Sequence, residues 1–231
     1  RLALKRGYAA EAEELLRAVV SKGPPDLALQ ARVWRGHALV RLRRWAEAAG
    51  CLEAAVRSGE LESELSGRAK SALSAALFGL AGELEAEGKL PEALAALMRA
   101  RRLSPADPQV HRRLIRLAAR LGRLDEVATY YRQWSSLEPS NALARYGYGL
   151  CLSYLATAEA ERKRDVSEIN RKLLDASSEQ LELALRADYA LVPAYLALAF
   201  NYEQMELYRG ARKRGGRYWL GAVFRAVSAP V

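Results

Sequence analysis

Apolar residues recur along this chain at three- and four-residue intervals, the spacing that lines one face of a helix. Ala12, Leu15, Leu16 and Val19 predict a helix from about Ala9 to Ser21, stopped by Gly23, Pro24 and Pro25. A second runs from about Asp26, a suitable N-cap, to Leu42, with Gly36 at a small position; a third, Trp45 to Arg57, turns Ala48, Leu52 and Ala55 inward. The next pair ends near Glu87 and spans Pro91 to Leu103, and the following pair spans Pro108 to Leu121 and Leu124 to Leu137. Pro91 falls at a first helical position, where its missing N–H is harmless. Further helices start near Asn141 and near Val192, the latter reaching Leu207 with Tyr195, Leu198, Ala199 and Tyr202 at helical spacing. Residues 1 to 6 read as the last turns of a helix, so the chain is expected to be a fragment or a mature region.

The breaks between helices repeat as well. Gly88, Ala93, Leu97, Ala100 and Pro105 are each followed 34 residues later by Gly122, Val127, Tyr131, Trp134 and Pro139. A period of that size marks an array of stacked helix pairs. Two stretches exceed it. An excess of 11 residues between Ser58 and Leu73 carries Leu61 and Leu65 at helical spacing, which predicts a three-turn extension at the start of the next helix. Leu152 to Ser177 spans 25 residues where the period leaves 9, and the surplus of 16 contains no Pro or Gly. Both helices of that pair are therefore expected to be prolonged, as a hairpin over 154–181 projecting beyond its neighbours with Ala160 to Asp165 near the tip.

These residues resemble the tetratricopeptide repeat family over about residues 1–208. The small positions are Gly36, Ala48, Ala81, Ala93, Gly149 and Ala199; the large ones include Leu52, Leu97, Tyr131, Leu181 and Tyr202. The resemblance implies an all-α, right-handed superhelical solenoid of antiparallel helix pairs, five to six repeats and about eleven helices, followed by a basic, aromatic segment over 209–231. It further implies a scaffold or adaptor whose concave surface holds a segment of a protein partner within a larger assembly. The family's clamp for a chaperone C-terminus has Lys and Asn where this chain has Val33 and His37 in one repeat and Arg112 and Arg116 in another, so that recognition is not expected.

Composition agrees with an all-α chain, since Ala, Leu, Arg and Glu dominate and β-branched residues are sparse. Of the net charge of +9, six units follow from Arg209 onward, where no acid occurs. The general Arg excess fits a high-GC bacterial genome. Cys51 and Cys151 lie three repeats apart, too far to bridge, and are expected as buried small residues. No signal peptide or spanning apolar run is present, which favours a cytoplasmic location or one peripheral to a membrane or envelope complex.

Catalytic motifs are absent: no phosphate loop ending in Gly-Lys-Ser/Thr, no Gly-x-Ser-x-Gly, no His-Glu-x-x-His. No enzyme activity, cofactor or metal site is expected. His37 and His111 lack neighbouring ligands at metal spacing and read as solvated or groove-lining. The carboxylates Glu60, Glu62, Glu64 and Glu83, Glu85, Glu87 sit two apart, point different ways round their helices and read as solubility charges.

The surface expected to bind is cationic and aromatic. Arg112, Arg116 and Arg120 share one helix face by their i, i+4, i+8 spacing. The resemblance places His37, Arg41 and Phe78 on one side of them and Tyr146, Tyr154 and Phe200 on the other. Such a trough suits an acidic segment with an aromatic or apolar anchor, and an Arg-rich solvated face is the alternative. The tail carries Arg212, Lys213, Arg214, Arg217 and Trp219 ahead of an amphipathic pattern of Tyr218, Leu220, Val223, Phe224 and Val227. It is expected to dock on a partner subunit or an anionic membrane surface, with self-capping of the last helix as the alternative. RNA or polyanion binding through the same bases is a further reading.

Overall fold

In the computed structural model, which describes residues 8–213, ten α-helices follow one another through short turns, with no strand among the described residues. They are α1 (Ala9–Lys22), α2 (Pro25–Arg41), α3 (Trp45–Arg57), α4 (Ser63–Ala86), α5 (Leu90–Leu103), α6 (Pro108–Arg120), α7 (Leu124–Leu137), α8 (Ala142–Lys163), α9 (Arg171–Ala187) and α10 (Val192–Lys213), with a 3-10 turn at Val166–Glu168. The first of the expected helices, at residues 1 to 6, lies outside the described residues. Asp26 sits in the first turn of α2 rather than at its cap, which is Pro24.

Contacts divide the chain into two units, residues 1–114 and 115–231, the division falling within α6. In the first unit each helix packs on its successor from α1 to α5, and α2 also lies against α4. The expected helical extension between Ser58 and Leu73 is the start of α4, which begins at Ser63 after a turn at Gly59. In the second unit α7 packs on α8, α8 on α9 and α9 on α10, while α10 also touches α8.

Pairs of small and large side chains set these approaches. A Cβ on Gly36 of α2 would lie 2.3 Å from the Leu52 side chain of α3, and one on Gly149 of α8 would lie 2.8 Å from Leu181 of α9. Gly147 of α8 holds the ring of Tyr131 of α7 in the same way, at 2.2 Å from where its Cβ would be. Leu52, Leu97, Tyr131 and Leu181 are all fully buried, each contributing roughly 1.5–3 kcal/mol through burial.

The turns between paired helices share one device. Gly88 and Gly122 adopt positive φ, and the following N–H reaches back to satisfy a carbonyl of the last helical turn, as from Lys89 to Leu84 at 2.8 Å and from Arg123 to Ala118 at 2.9 Å. Arg43 and Arg164 occupy the same left-handed position after α2 and α8, with φ of 57° and 54°. A residue with a Cβ pays about 1–2 kcal/mol for that conformation.

The end of the α8–α9 pair does not project alone. Ala156 and Ala160 of α8, Val166 and Ile169 of the turn and Leu174 of α9 form one apolar cluster with Met205 of α10, and Leu207 and Tyr208 pack against it. The reason is that α10 is itself long, running to Lys213 rather than stopping near Leu207, and lies against the hairpin's end.

Candidate partner-binding surface

The first unit opens a cleft of about 680 Å³ between α2, α4 and the start of α6. Val40, Trp45, Ala75 and Phe78 form its apolar wall, with Ser71, Asp107 and Arg113 as polar groups. Gly79 shapes the floor, because a Cβ there would lie 2.3 Å from the Trp45 ring, so the indole lies flat against α4. Trp45 and Phe78 are half-buried, and Ala75 is exposed between them and solvent.

Arg113 closes one side. Its Nε donates to Glu85 Oε1 at 2.6 Å, its Nη1 donates to the Phe78 carbonyl at 3.2 Å, and its guanidinium lies 4.9 Å from the Phe78 ring centre. Both charges are largely buried, at 19% and 12% side-chain exposure. This pair fixes the ring that walls the cleft. It also corrects the reading of Glu85 as a solubility charge: the cation that claims it lies 28 residues away in sequence, beyond any local spacing rule.

A second cleft, of about 570 Å³, lies between α2 and the extension of α4. Asp26, Glu60, Glu62 and Glu64 make it acidic, and Arg68 stands over the Trp34 ring at 5.9 Å. His37 lies beside it, its ring 5.5 Å from Trp34 and its Nε2 buried without a hydrogen-bond partner. Burial first, then the charges of Arg68 and Arg41, push this imidazole below its ordinary pKa, so it is neutral at pH 7.

The predicted site residues fall in different places. Arg112, Arg116 and Arg120 share a face of α6, with Arg112 and Arg120 exposed and Arg116 half-buried. Phe78 belongs to the first unit's cleft, where it meets Arg113 rather than the arginine stripe. Tyr154 and Phe200 are half-buried in the second unit. Tyr146 is not a groove residue: it is 1% exposed, because α8 is packed by α7, α9 and α10 and that side of the helix is core. His111 is likewise not solvated but fully buried, with Nε2 2.8 Å from the Pro105 carbonyl. Burial holds it below its ordinary pKa, leaving an N–H to donate to that carbonyl.

Arg212 and Lys213 end α10, but their side chains, like Arg214, Arg217 and Trp219, lie outside the described residues. Cys51 and Cys151 are both free thiols. Cys151 is buried as expected, and burial raises its pKa; Cys51 is half-buried and donates to the Arg32 carbonyl at 3.3 Å. Trp45, Val40 and Arg113 were not singled out from sequence. The signal for them was Gly79 and Gly82 on α4, two residues without side chains facing Trp45 and Arg113.

Among the described residues no group of His, Cys, Asp and Glu could hold a metal ion, and no helix is long and apolar enough to cross a membrane. Paired helices with small-into-large packing, left-handed turns and open clefts define an all-α interaction fold. The Tetratricopeptide repeat family model matches residues 1–63, 35–108 and 78–135, which together span more than half of the chain. The chain therefore belongs to the tetratricopeptide repeat family. No curated protein matches it. Among solved structures it is similar to a thermophilic TPR protein of Thermus thermophilus, at 19% identity over 87% of this chain and 94% of that one, with a TM-score of 0.43. It is also similar to YrrB, described as a TPR protein with an unusual peptide-binding site, at 23% identity over 84% and 87% of the two chains and a TM-score of 0.42. A third is MamA, at 17% identity over 77% and 86% and a TM-score of 0.37. These likenesses concern the fold alone.

Proposed function

We propose that this protein is a non-enzymatic scaffold that binds a segment of a protein partner, anchoring one bulky apolar side chain in the cleft between α2, α4 and α6. Tetratricopeptide proteins generally mediate protein–protein interactions, and the observation that carries the finer reading is the cleft itself. Trp45 and Phe78 stand there half-buried on the cleft wall, held by Gly79 and the Arg113–Glu85 pair. Aromatic walls held rigid before binding lose little entropy on contact, which favours a defined anchor residue. Arg112, exposed on α6 next to Arg113, favours an acidic residue flanking that anchor.

A displayed library of random peptides tests the reading. The account expects selected sequences to share one aromatic or large aliphatic residue with acidic neighbours. Binding should be lost in Ala75→Arg, which fills the cleft from an exposed position, and weakened in Arg112→Glu. Failure to select any peptide, or selected peptides that bind Ala75→Arg as well as the parent protein, contradicts it.

A further inference from the structure

The cleft between α2 and the start of α4 is acidic in a chain of net charge +9. Asp26, Glu60, Glu62 and Glu64 line it against a single cation, Arg68, whose charge Glu64 matches at 2.7 Å. Asp26, Glu60 and Glu62 make no ion pair among the described residues. Their placement differs from that of charges spread round a solvated helix. Glu60 and Glu62 precede α4, which begins at Ser63, so neither winds round the helix and both line the cleft. Glu62 is also the N-cap of α4, where a carboxylate ordinarily accepts from the first-turn N–H groups, yet its side chain makes no capping hydrogen bond.

Beside these charges the walls are apolar. Leu29, Leu61 and Leu65 are half-buried there, and Arg68 shows how a guanidinium lies in this setting, 5.9 Å from the centre of the Trp34 ring. Exposed carboxylates next to apolar walls suit the long stem and charged head of Lys or Arg rather than a small cation.

The same two helices wall the anchor cleft. Trp34 of α2 and Leu65 of α4 line the acidic cleft; Val40 and Ala75, further along each helix in the same direction, line the anchor cleft. Both clefts lie in the first unit. From Leu65 to Ala75 is roughly 15 Å along α4, a distance that about four or five residues of extended chain cover.

We infer that the partner segment carries a lysine or arginine about four or five residues from its apolar anchor, with its stem on Leu61 and Leu65 and its charge among Asp26, Glu60 and Glu62. This rests on the anchor cleft proposed above and specifies the partner further: the segment is bipolar, its base toward the start of α4 and its acid toward Arg112 of α6. That charge order sets the direction in which the segment lies.

Peptides with one fixed Trp and random flanks, selected on the full chain and sequenced, test this. Lys or Arg should be enriched several-fold at about four or five positions to one side of the Trp. Selection on Glu60→Lys with Glu62→Lys should replace that base with Asp or Glu, a reversal that a merely misfolded variant cannot produce. In fluorescence-anisotropy titrations the best peptide should bind this double variant at least about tenfold more weakly than the parent, and a copy cut off before its basic residue should bind both proteins equally. Ala75→Arg should abolish binding of both peptides, because they share the anchor. Selected peptides with no preferred position for a base, or a basic peptide that binds parent and double variant alike, overturn the inference; the anchor cleft still stands if Ala75→Arg abolishes binding. Binding that needs Glu60 and Glu62 but ignores Ala75→Arg overturns the anchor cleft and the bipolar segment with it, as does a failure to select any peptide.

Discussion

The pairing of α2 with α3 and the junction of α8, α9 and α10 solve the same packing problem in different ways. The first keeps the family's length and closes through an apolar socket, Leu52 over Gly36. The second begins with such a socket, Leu181 over Gly149, and then overruns it by several turns. Beside that socket a polar seam is added, before the overrun closes on the apolar cluster of Ala156, Ala160 and Leu174. Ser153 donates to Asn201 Oδ1 at 2.7 Å, Asn201 Nδ2 donates to Ser177 at 2.8 Å and to Ser178 at 3.2 Å, and Ser177 donates to the Gly149 carbonyl at 2.7 Å. A turn further on, Gln204 is fully buried with neither amide atom hydrogen-bonded. Sockets fix register by shape; hydrogen-bonded seams fix it by direction, and each buried polar atom left out of the seam is a cost.

The comparison breaks most visibly at the tightest socket. In Gly147→Ala the new Cβ meets the buried Tyr131 ring, which cannot bend away, and we expect a loss of about 3 kcal/mol. Gly36→Ala meets the Leu52 side chain, which can change rotamer, and about 1–2 kcal/mol is expected. Chemical denaturation measures both. If the two substitutions cost the same, the distinction between rigid and yielding sockets is wrong.

Next in size is the seam. Asn201→Ala should cost about 2 kcal/mol by leaving Ser153 and Ser177 short of a partner, whereas Gln204→Met should stabilise by about 1 kcal/mol because it removes two unsatisfied polar atoms at nearly constant volume. A thermal melt in which Gln204→Met is destabilised would mean that its amide has a role that the hydrogen bonds do not reveal.

The periodicity made the helix pairs legible, and Gly88 and Gly122 marked the turns because only a residue without a Cβ takes that conformation cheaply. Apolar spacing also made the start of α4 legible as helix. Side-chain destinations were less so. Tyr146 sits at a position that lines a groove in a regular repeat, but α8 is enclosed, so it is core. The partners of Arg113 and Asn201 lie 23 to 48 residues away, a separation at which no spacing rule connects a donor with its acceptor.

Smaller again is the acid response of the N-terminal helix. Glu13 of α1, 2% exposed, accepts from Arg17 and, at 2.8 Å, from Arg35 of α2, with Arg44 at 3.7 Å. The Arg17 hydrogen bond foremost, and that of Arg35, hold its carboxyl below the usual carboxylate range against the opposing effect of burial. A depressed pKa contributes stability that is present above the unfolded value, about pH 4.3, and is lost as pH falls through the folded one. Glu13→Gln should therefore cost about 1.5 kcal/mol at pH 7 and flatten the decline below pH 4. An unchanged acid limb in the variant would remove Glu13 from the account.

The smallest expected effect is a gain. Arg43→Gly relieves the left-handed strain after α2 but adds freedom to the unfolded chain, leaving about 0.5 kcal/mol of net stabilisation by denaturant titration.

The cleft walled by Trp45 and Phe78 can be read directly, because the chain has only four tryptophans. In a two-dimensional NMR spectrum of the indole N–H groups, titration with a selected peptide should shift the Trp45 signal while leaving Trp134 of α7 in place, and Ala75→Arg should abolish the shift. A peptide that binds while the Trp45 indole stays unmoved would contradict the central claim.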